Sequence, residues 1–472
     1  MNNVDALRSR IRLSEIDFRW LIIPALLCIW MLPFITFSPP DDWRVSRFGT
    51  APILPPIVMK AMKFFGRGGA IALLGFYLLT LWDHEKRPQA IGFMSPFLAF
   101  GCFGVLSTMW SALKSISIQQ SVTFCMILML ASYVAILWRN DRTSELLVKH
   151  LSLAILCLSI LLIALALGMP RSGALTREAS GILHSTNAGA TGGLGIVLTL
   201  SARLLWRSRW SSFWLPIVAT ELTMMVIGGN RLSVAITGIT VIFLLALSLH
   251  RGVAAALLLC GSLLFTSYVV ADPGLSMVSS LGKDVGVYAK QGQTSAQLSS
   301  LSGRAEMWEK MWKSFTESPI IGHGYFVTTE RGRIYVWQEW GNWTAHNVVL
   351  QTLTTTGVIG LSLLVIGFAS LTVGIYFGSL RLSGIEPSVT LLLVFATWYA
   401  GWGFLNSSFI GPLTPESVVF ACMLGIAAGI GSSARLELVK EHSLLQPDAG
   451  TAKSEPTPTT HAGVEPKWDN SI

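Results

Sequence analysis

The sequence predicts an all-α polytopic membrane protein, with about twelve transmembrane helices and one large extracytoplasmic loop. Three observations carry this. Only 13% of the 472 residues are charged and 52% are hydrophobic, where soluble domains carry about 25% charged residues. The apolar residues fall into separate runs of roughly the ~20 residues a bilayer core requires. Lys and Arg concentrate in the short connections between these runs, where they set topology. One polar stretch, 271–345, interrupts the pattern.

Residues 1–19 are basic, with Arg8, Arg10, Arg12 and Arg19, and form a cytoplasmic N-terminus. No small-residue cleavage site follows the first apolar run, so the sequence predicts a retained helix. A bundle of about nine spans occupies 20–270, at roughly 20–38, 67–82, 91–110, 117–138, 150–168, 187–203, 212–228, 232–249 and 252–270. The large loop 271–345 follows and contains a short amphipathic helix at 303–317. About three spans, roughly 346–379, 387–405 and 416–432, complete a second bundle over 346–432. The tail 433–472 is polar and rich in Pro and Thr, cannot bury a core, and is expected to be disordered in the cytoplasm.

With the N-terminus inside, strict alternation puts Lys86, Arg87, Arg139, Arg142, Lys149, Arg203, Arg207, Arg209, Arg251, Arg381, Arg435 and Lys440 on the inner side. That is the positive-inside pattern, and it leaves 271–345 outside and both termini in the cytoplasm. The net charge of +8 is therefore a topology signal and not a nucleic-acid surface. All six cysteines lie in apolar runs, which argues against a disulfide framework or a zinc site. No repeat and no pair of inverted, broken-helix halves is visible, which weakens a transporter.

A few polar residues require explanation. Arg231, in Gly228-Gly229-Asn230-Arg231-Leu232-Ser233, breaks the positive-inside bias at the outer end of a helical hairpin. It either snorkels to the interface or binds an anion. Arg304 opens the helix whose Met307, Trp308, Met311, Trp312 and Phe315 recur at helical spacing, with Ser302 or Gly303 as cap. A cation in a first helical turn is locally unfavourable, and an anionic ligand reverses that; the alternative is an ordinary surface arginine. His346, in Ala345-His346-Asn347, stands where the loop re-enters the membrane, as a general base or as a capping residue. His323, between Gly322 and Gly324, reads more as a turn element, and Asn187 as a helix cap or a substrate contact. No metal-ligand cluster, Walker motif, GxSxG or dinucleotide fingerprint is present in the outer segments, so no cofactor is expected and any chemistry needs a substrate activated beforehand.

Taken together, Leu301-Ser302-Gly303-Arg304, Met307-Trp308, Ser318-Pro319-Ile320-Ile321-Gly322-His323-Gly324, Ala345-His346-Asn347 and Gly357-Val358-Ile359-Gly360 resemble the signature block of the O-antigen ligase and polymerase superfamily. Asn230-Arg231-Leu232-Ser233 is similar to that family's arginine before the large loop. The likeness spans roughly 185–365, and it departs from many relatives in having His323 between the two glycines. It implies a GT-C-like glycosyltransferase of the bacterial inner membrane, metal-independent and inverting, acting at the periplasmic face. The implied donor is an undecaprenyl-diphosphate-linked glycan, and the acceptor a second lipid-linked glycan or lipid A-core. Carried over by position, Arg231 and Arg304 would bind the donor diphosphate and His346 would deprotonate the acceptor, with Asn347, His323 and Asn187 as further substrate contacts. The blocks lie nearest the exopolysaccharide polymerase branch, with an O-antigen ligase as the alternative and a flippase and chain-length regulator as expected neighbours. A non-catalytic flippase or export component is a different class, and would leave Arg231, Arg304 and His346 without a task.

Overall fold

A computed structural model describes residues 87–168, 185–207, 213–228, 230–248, 304–327, 345–406, 408–411 and 413–445, with single positions among 57–75. The spans expected at 20–38 and 252–270, nearly all of that at 67–82, most of the large loop and residues 446–472 of the tail lie outside the described residues, whereas residues 433–445, expected as the disordered start of that tail, continue the last helix. The described elements are helical: α1 (Arg87–Leu106), α2 (Lys114–Leu137), α3 (Asp141–Gly168), α4 (Ser185–Trp206), α5 (Trp214–Gly228), α6 (Arg231–Ser248), α7 (Arg304–Glu317), α8 (Val348–Arg381), α9 (Glu386–Leu405) and α10 (Pro415–Leu445). Among the described residues, 7 helices are long and apolar enough to cross a membrane. The chain is thus an all-α polytopic membrane protein.

The core is built around α10. In the apolar 18-residue stretch of Pro415–Val439 94% of residues are buried, against 28% in that of Val348–Arg381 of α8, so α10 is central and α8 peripheral. One side of α10 packs on α1, α2 and α8; the other meets α3, α4 and α9, with α5 and α6 beyond α4.

Helix ends show how the elements alternate. Asp141, in the first turn of α3, accepts from the backbone N–H (2.9 Å) and hydroxyl (2.5 Å) of Ser388 in α9, and from the indole N–H of Trp206 at the end of α4. The indole N–H of Trp138, following α2, donates to Ser144 of α3 at 2.9 Å. Trp138 also packs on Gly429 of α10. Beyond it, Arg381 at the end of α8 pairs with Glu441 of α10 at 2.8 Å. These ends share one face of the bundle, as strict alternation requires.

Two elements differ from the sequence expectation for identifiable reasons. α3 begins at Asp141 rather than near 150, because Asn140 accepts from the Thr143 N–H as a cap and the charged first turns are helical though not apolar. α5 has only 15 residues, about 22 Å, and carries a completely buried carboxyl, Glu221. The Ser159 hydroxyl of α3 donates to Glu221 Oε2 at 2.6 Å. Hydropathy alone passed over this residue, since one glutamate barely changes the mean of an apolar run.

The largest departure is in α8, expected as one continuous run. At Gly357 the backbone turns to φ 64°, ψ −165°, a region open essentially to glycine alone. In an unbroken helix the N–H groups of Val358 and Ile359 would donate to the carbonyls of Thr354 and Thr355. Instead Val358 donates to Pro319 O (2.9 Å) and Ile359 to Ile320 O (3.3 Å). The released carbonyls accept from His323 N–H (3.1 Å) and Gly324 N–H (2.9 Å). The turn after α7 is thus spliced into the broken helix, and all four groups are satisfied.

This splice predicts an ordering of glycine substitutions. A Cβ on Gly357 would lie 2.2 Å from the Ile320 oxygen, whereas one on Gly384, also at positive φ, meets nothing within 4 Å. Gly384→Ala should cost about 1–2 kcal/mol from backbone conformation alone. Gly357→Ala should cost at least about 3 kcal/mol. Thermal unfolding of the detergent-purified variants measures the difference; equal losses would contradict the splice.

Candidate functional site

The end of the bundle opposite Asp141 gathers helix starts. Asn230 accepts from the Ser233 N–H at 3.1 Å and so caps α6. Arg231, half-buried, is the first residue of that helix. The start of α4 lies beside it: a Cβ on Gly189 would be 2.9 Å from Asn230 Cβ and 2.5 Å from the Ser233 hydroxyl. α4 begins at Ser185, so Asn187 stands inside the first turn and is not the cap residue.

The last turn of α9 bridges α6 to α8. Gly401 packs on Ile236 of α6, and Gly403 on Val348, the first residue of α8. Asn347 is the N-cap of α8: its Oδ1 accepts from the Leu350 N–H at 2.9 Å, and its Nδ2 donates to the Phe404 carbonyl at 3.1 Å. Both ends of this side chain serve the scaffold, so its first role is to position the residue before it.

That residue is His346. It is half-buried and held at φ 50°, a left-handed conformation that costs a non-glycine residue energy. Its predecessor, Ala345, is fixed from both sides. The Ala345 N–H donates to Gln351 Oε1 at 2.6 Å, and its carbonyl accepts from the indole N–H of Trp308 at 2.9 Å. Met307 and Met311 of α7 bury themselves against Ala345, and the Trp308 ring meets Phe404 edge-on at 6.0 Å. Arg304, the first residue of α7, is one turn ahead of Trp308. The starts of α4, α6, α7 and α8 therefore reach the same end of the bundle and bring the backbone positions of Asn187, Arg231, Arg304 and His346 to it. Helix starts carry positive partial charge, and two arginines among them make the end suited to an anion.

His323 is not drawn into this group. Its ring Nε2 donates to the Ser314 carbonyl at 2.7 Å and its backbone belongs to the Gly357 splice, two turns further along α8. The turn around it plugs the bundle: the Tyr325 N–H donates to the Ser107 hydroxyl at 2.8 Å, and the Tyr325 hydroxyl to the Ile410 carbonyl. Sequence reasoning also missed Glu416, wholly buried in the first turn of α10 at this end. The Tyr399 hydroxyl donates to its carbonyl at 2.7 Å. A lone acidic residue at the head of the last apolar run was the available signal. Among the described residues, no three His, Cys, Asp or Glu side chains group to hold a metal ion.

Replacing Asn347 by Ala removes a helix cap and should lower stability by about 1 kcal/mol. His323→Ala should lower it by a comparable amount through the bond to Ser314. Both losses are expected in unfolding experiments without any substrate; an unchanged midpoint for Asn347→Ala would show that the cap carries no stability.

Comparison with known proteins agrees with the geometry. Residues 179–365 match the family model described as O-antigen ligase, a segment that runs from just before α4 to the first turns of α8 beyond Gly357. No curated protein matches the sequence. The matched segment contains Asn187, Arg231, Arg304, His323, His346 and Asn347. Residues 179–365 of this membrane bundle are thus similar to the O-antigen ligase family, and that match supports a function of the glycan ligase or polymerase type.

Proposed function

We propose that this protein polymerises oligosaccharide repeat units carried on undecaprenyl diphosphate, at the periplasmic face of the bacterial inner membrane, with both termini in the cytoplasm. The observation that supports this best is the convergence of the helix starts bearing Arg231 and Arg304 on the strained His346. In the reaction, the acceptor sugar hydroxyl attacks the anomeric carbon of the donor glycan from the face opposite the diphosphate. The new glycosidic C–O bond forms as the bond to the phosphate oxygen breaks, and the diphosphate leaves with the electron pair. His346 takes the hydroxyl proton, so its imidazole must be neutral beforehand, which the positive end of α8 favours. Arg231 and Arg304, with the free N–H groups of their helix starts, stabilise the charge that grows on the diphosphate. The leaving group is already activated, so the reaction needs no metal, and a single attack from the opposite face inverts the anomeric centre. Asn347 holds His346 in place and Asn187 is a further substrate contact, while His323, bonded to Ser314, belongs to the supporting turn. A flippase delivers the donor across the membrane, and a chain-length regulator is the expected partner.

The match to the O-antigen ligase family favours a second reading, transfer of finished glycan to lipid A-core. Deleting the gene separates the two. Loss of polymer with single repeat units left on the lipid supports the polymerase; normal chain lengths missing only from lipid A-core support the ligase.

The roles are tested by complementation. His346→Ala and Arg304→Ala should each lower polymer at least about 100-fold at normal expression. Arg231→Lys should also fall well below the parent, because lysine lacks the planar fork that grips a diphosphate. His346→Gly relieves the left-handed strain and should stay within about 1 kcal/mol of parental stability while losing polymer. Parental polymer from well-expressed His346→Ala would sink the catalytic assignment.

A further inference from the structure

We infer that the aromatic edge of α7 and the turn that follows it form a membrane-interface anchor, seated in the lipid boundary beside α8. α7 presents three faces. Met307, Met311 and Ser314 are buried against the bundle, while Glu309, Lys310, Lys313 and Glu317 are exposed on the opposite side. Between them runs an apolar edge that the described residues leave uncovered. Trp312 is 55% exposed and its ring contacts Phe315 at 5.2 Å. The turn extends this edge with Ile320, 64% exposed, and Ile321, 38% exposed.

What covers the edge follows from its continuity with α8. The splice bonds Pro319 and Ile320 directly to Val358 and Ile359. Val358 and Ile359 are themselves 49% and 40% exposed. They begin the unbroken part of α8, whose outward Val365, Ile366, Phe368, Val373 and Phe377 make its lipid-facing surface. From Val358 to Arg381 that part is about 36 Å long, slightly more than the ~30 Å hydrocarbon core. Its first residues, and the Ile320–Ile321 turn tied to them, therefore stand at the boundary of the core. Tryptophan and isoleucine at that depth, with lysines on the adjoining face, match an interfacial helix. The anchor also sets the depth of the start of α7 without depending on any glycan chemistry.

The test uses the full-length chain in vesicles of phosphatidylethanolamine and phosphatidylglycerol. A photocrosslinking benzoylphenylalanine is placed at Trp312, at Ile320 and, as controls, at Lys313 and Glu309. All four positions are exposed, so folding is expected to survive. Phospholipid adducts at Trp312 and Ile320 should exceed those at the controls at least fivefold. Equal yields at all four positions, or crosslinks only within the chain, would overturn the inference. Adducts that form only after a polyisoprenyl diphosphate is added would also overturn it, assigning the edge to a donor's tail. A failed catalytic test of His346 would leave this outcome untouched.

Discussion

The whole site end depends on one backbone exchange, the splice of residues 319–324 into α8 at Gly357. A membrane helix cannot leave carbonyl and amide groups bare, because each unsatisfied group in hydrocarbon costs several kcal/mol. The four groups released at Gly357 are met by four groups from a turn 31 to 39 residues earlier in the chain. Two further glycines permit the contact: a Cβ on Gly322 would stand 2.4 Å from the Thr355 carbonyl carbon, and one on Gly324 equally near Ser111. Buried threonines prepare the bend, since Thr352, Thr355 and Thr356 each return a hydroxyl to the carbonyl four residues back.

The consequence is a short, separately oriented helix, Val348–Thr356, ahead of the long span. α7 lies along it, joined by Trp308 to Ala345 and by the Thr354 hydroxyl to the Met311 carbonyl at 3.3 Å. A straight α8 would have no place for the turn and no fixed seat for α7. The break therefore sets where the helix start bearing Arg304 meets the residue before Asn347. His346 takes its strained conformation between two such fixed points, the buried Ala345 and the capping Asn347. Strain of this kind persists where surrounding contacts over-determine it.

The opposite face of the bundle is held differently. There Asp141 collects donors from two other helices, with Trp138 and Ser144 completing the tie. One end of the bundle is thus tied by a half-buried acidic side chain that receives hydrogen bonds, while the other gathers helix starts, two of which open with Arg231 and Arg304. Glu221, midway along α5, shows that an acidic group also reaches the interior of the bundle, where Gly195 of α4 makes room for it.

Much of this was legible in the residues themselves. Hydropathy located the apolar helices, because length and composition alone decide what can cross a bilayer. The order of Arg231, Arg304 and His346 among glycines pointed to the family, and the spacing of Met307, Trp308 and Met311 placed a helix at 303–317. Arg231 stood out because a cation at the outer end of a helical hairpin breaks the positive-inside bias, and Arg304 because a cation in a first helical turn is locally unfavourable. The assignments that missed turn on long-range contacts. A glycine in an apolar run carries no local mark of a break, so Gly357 read as part of one helix. His323 reads as a turn element and is held in a turn by its bond to Ser314, while Asn347 caps α8 and bonds the Phe404 carbonyl, contacts that no local pattern announces. What the sequence determined by itself was which of the described runs are apolar helices, written in local composition. Only the tertiary structure decided which helix ends meet, where α8 breaks and which polar side chains the scaffold uses, because each depends on groups brought together by packing.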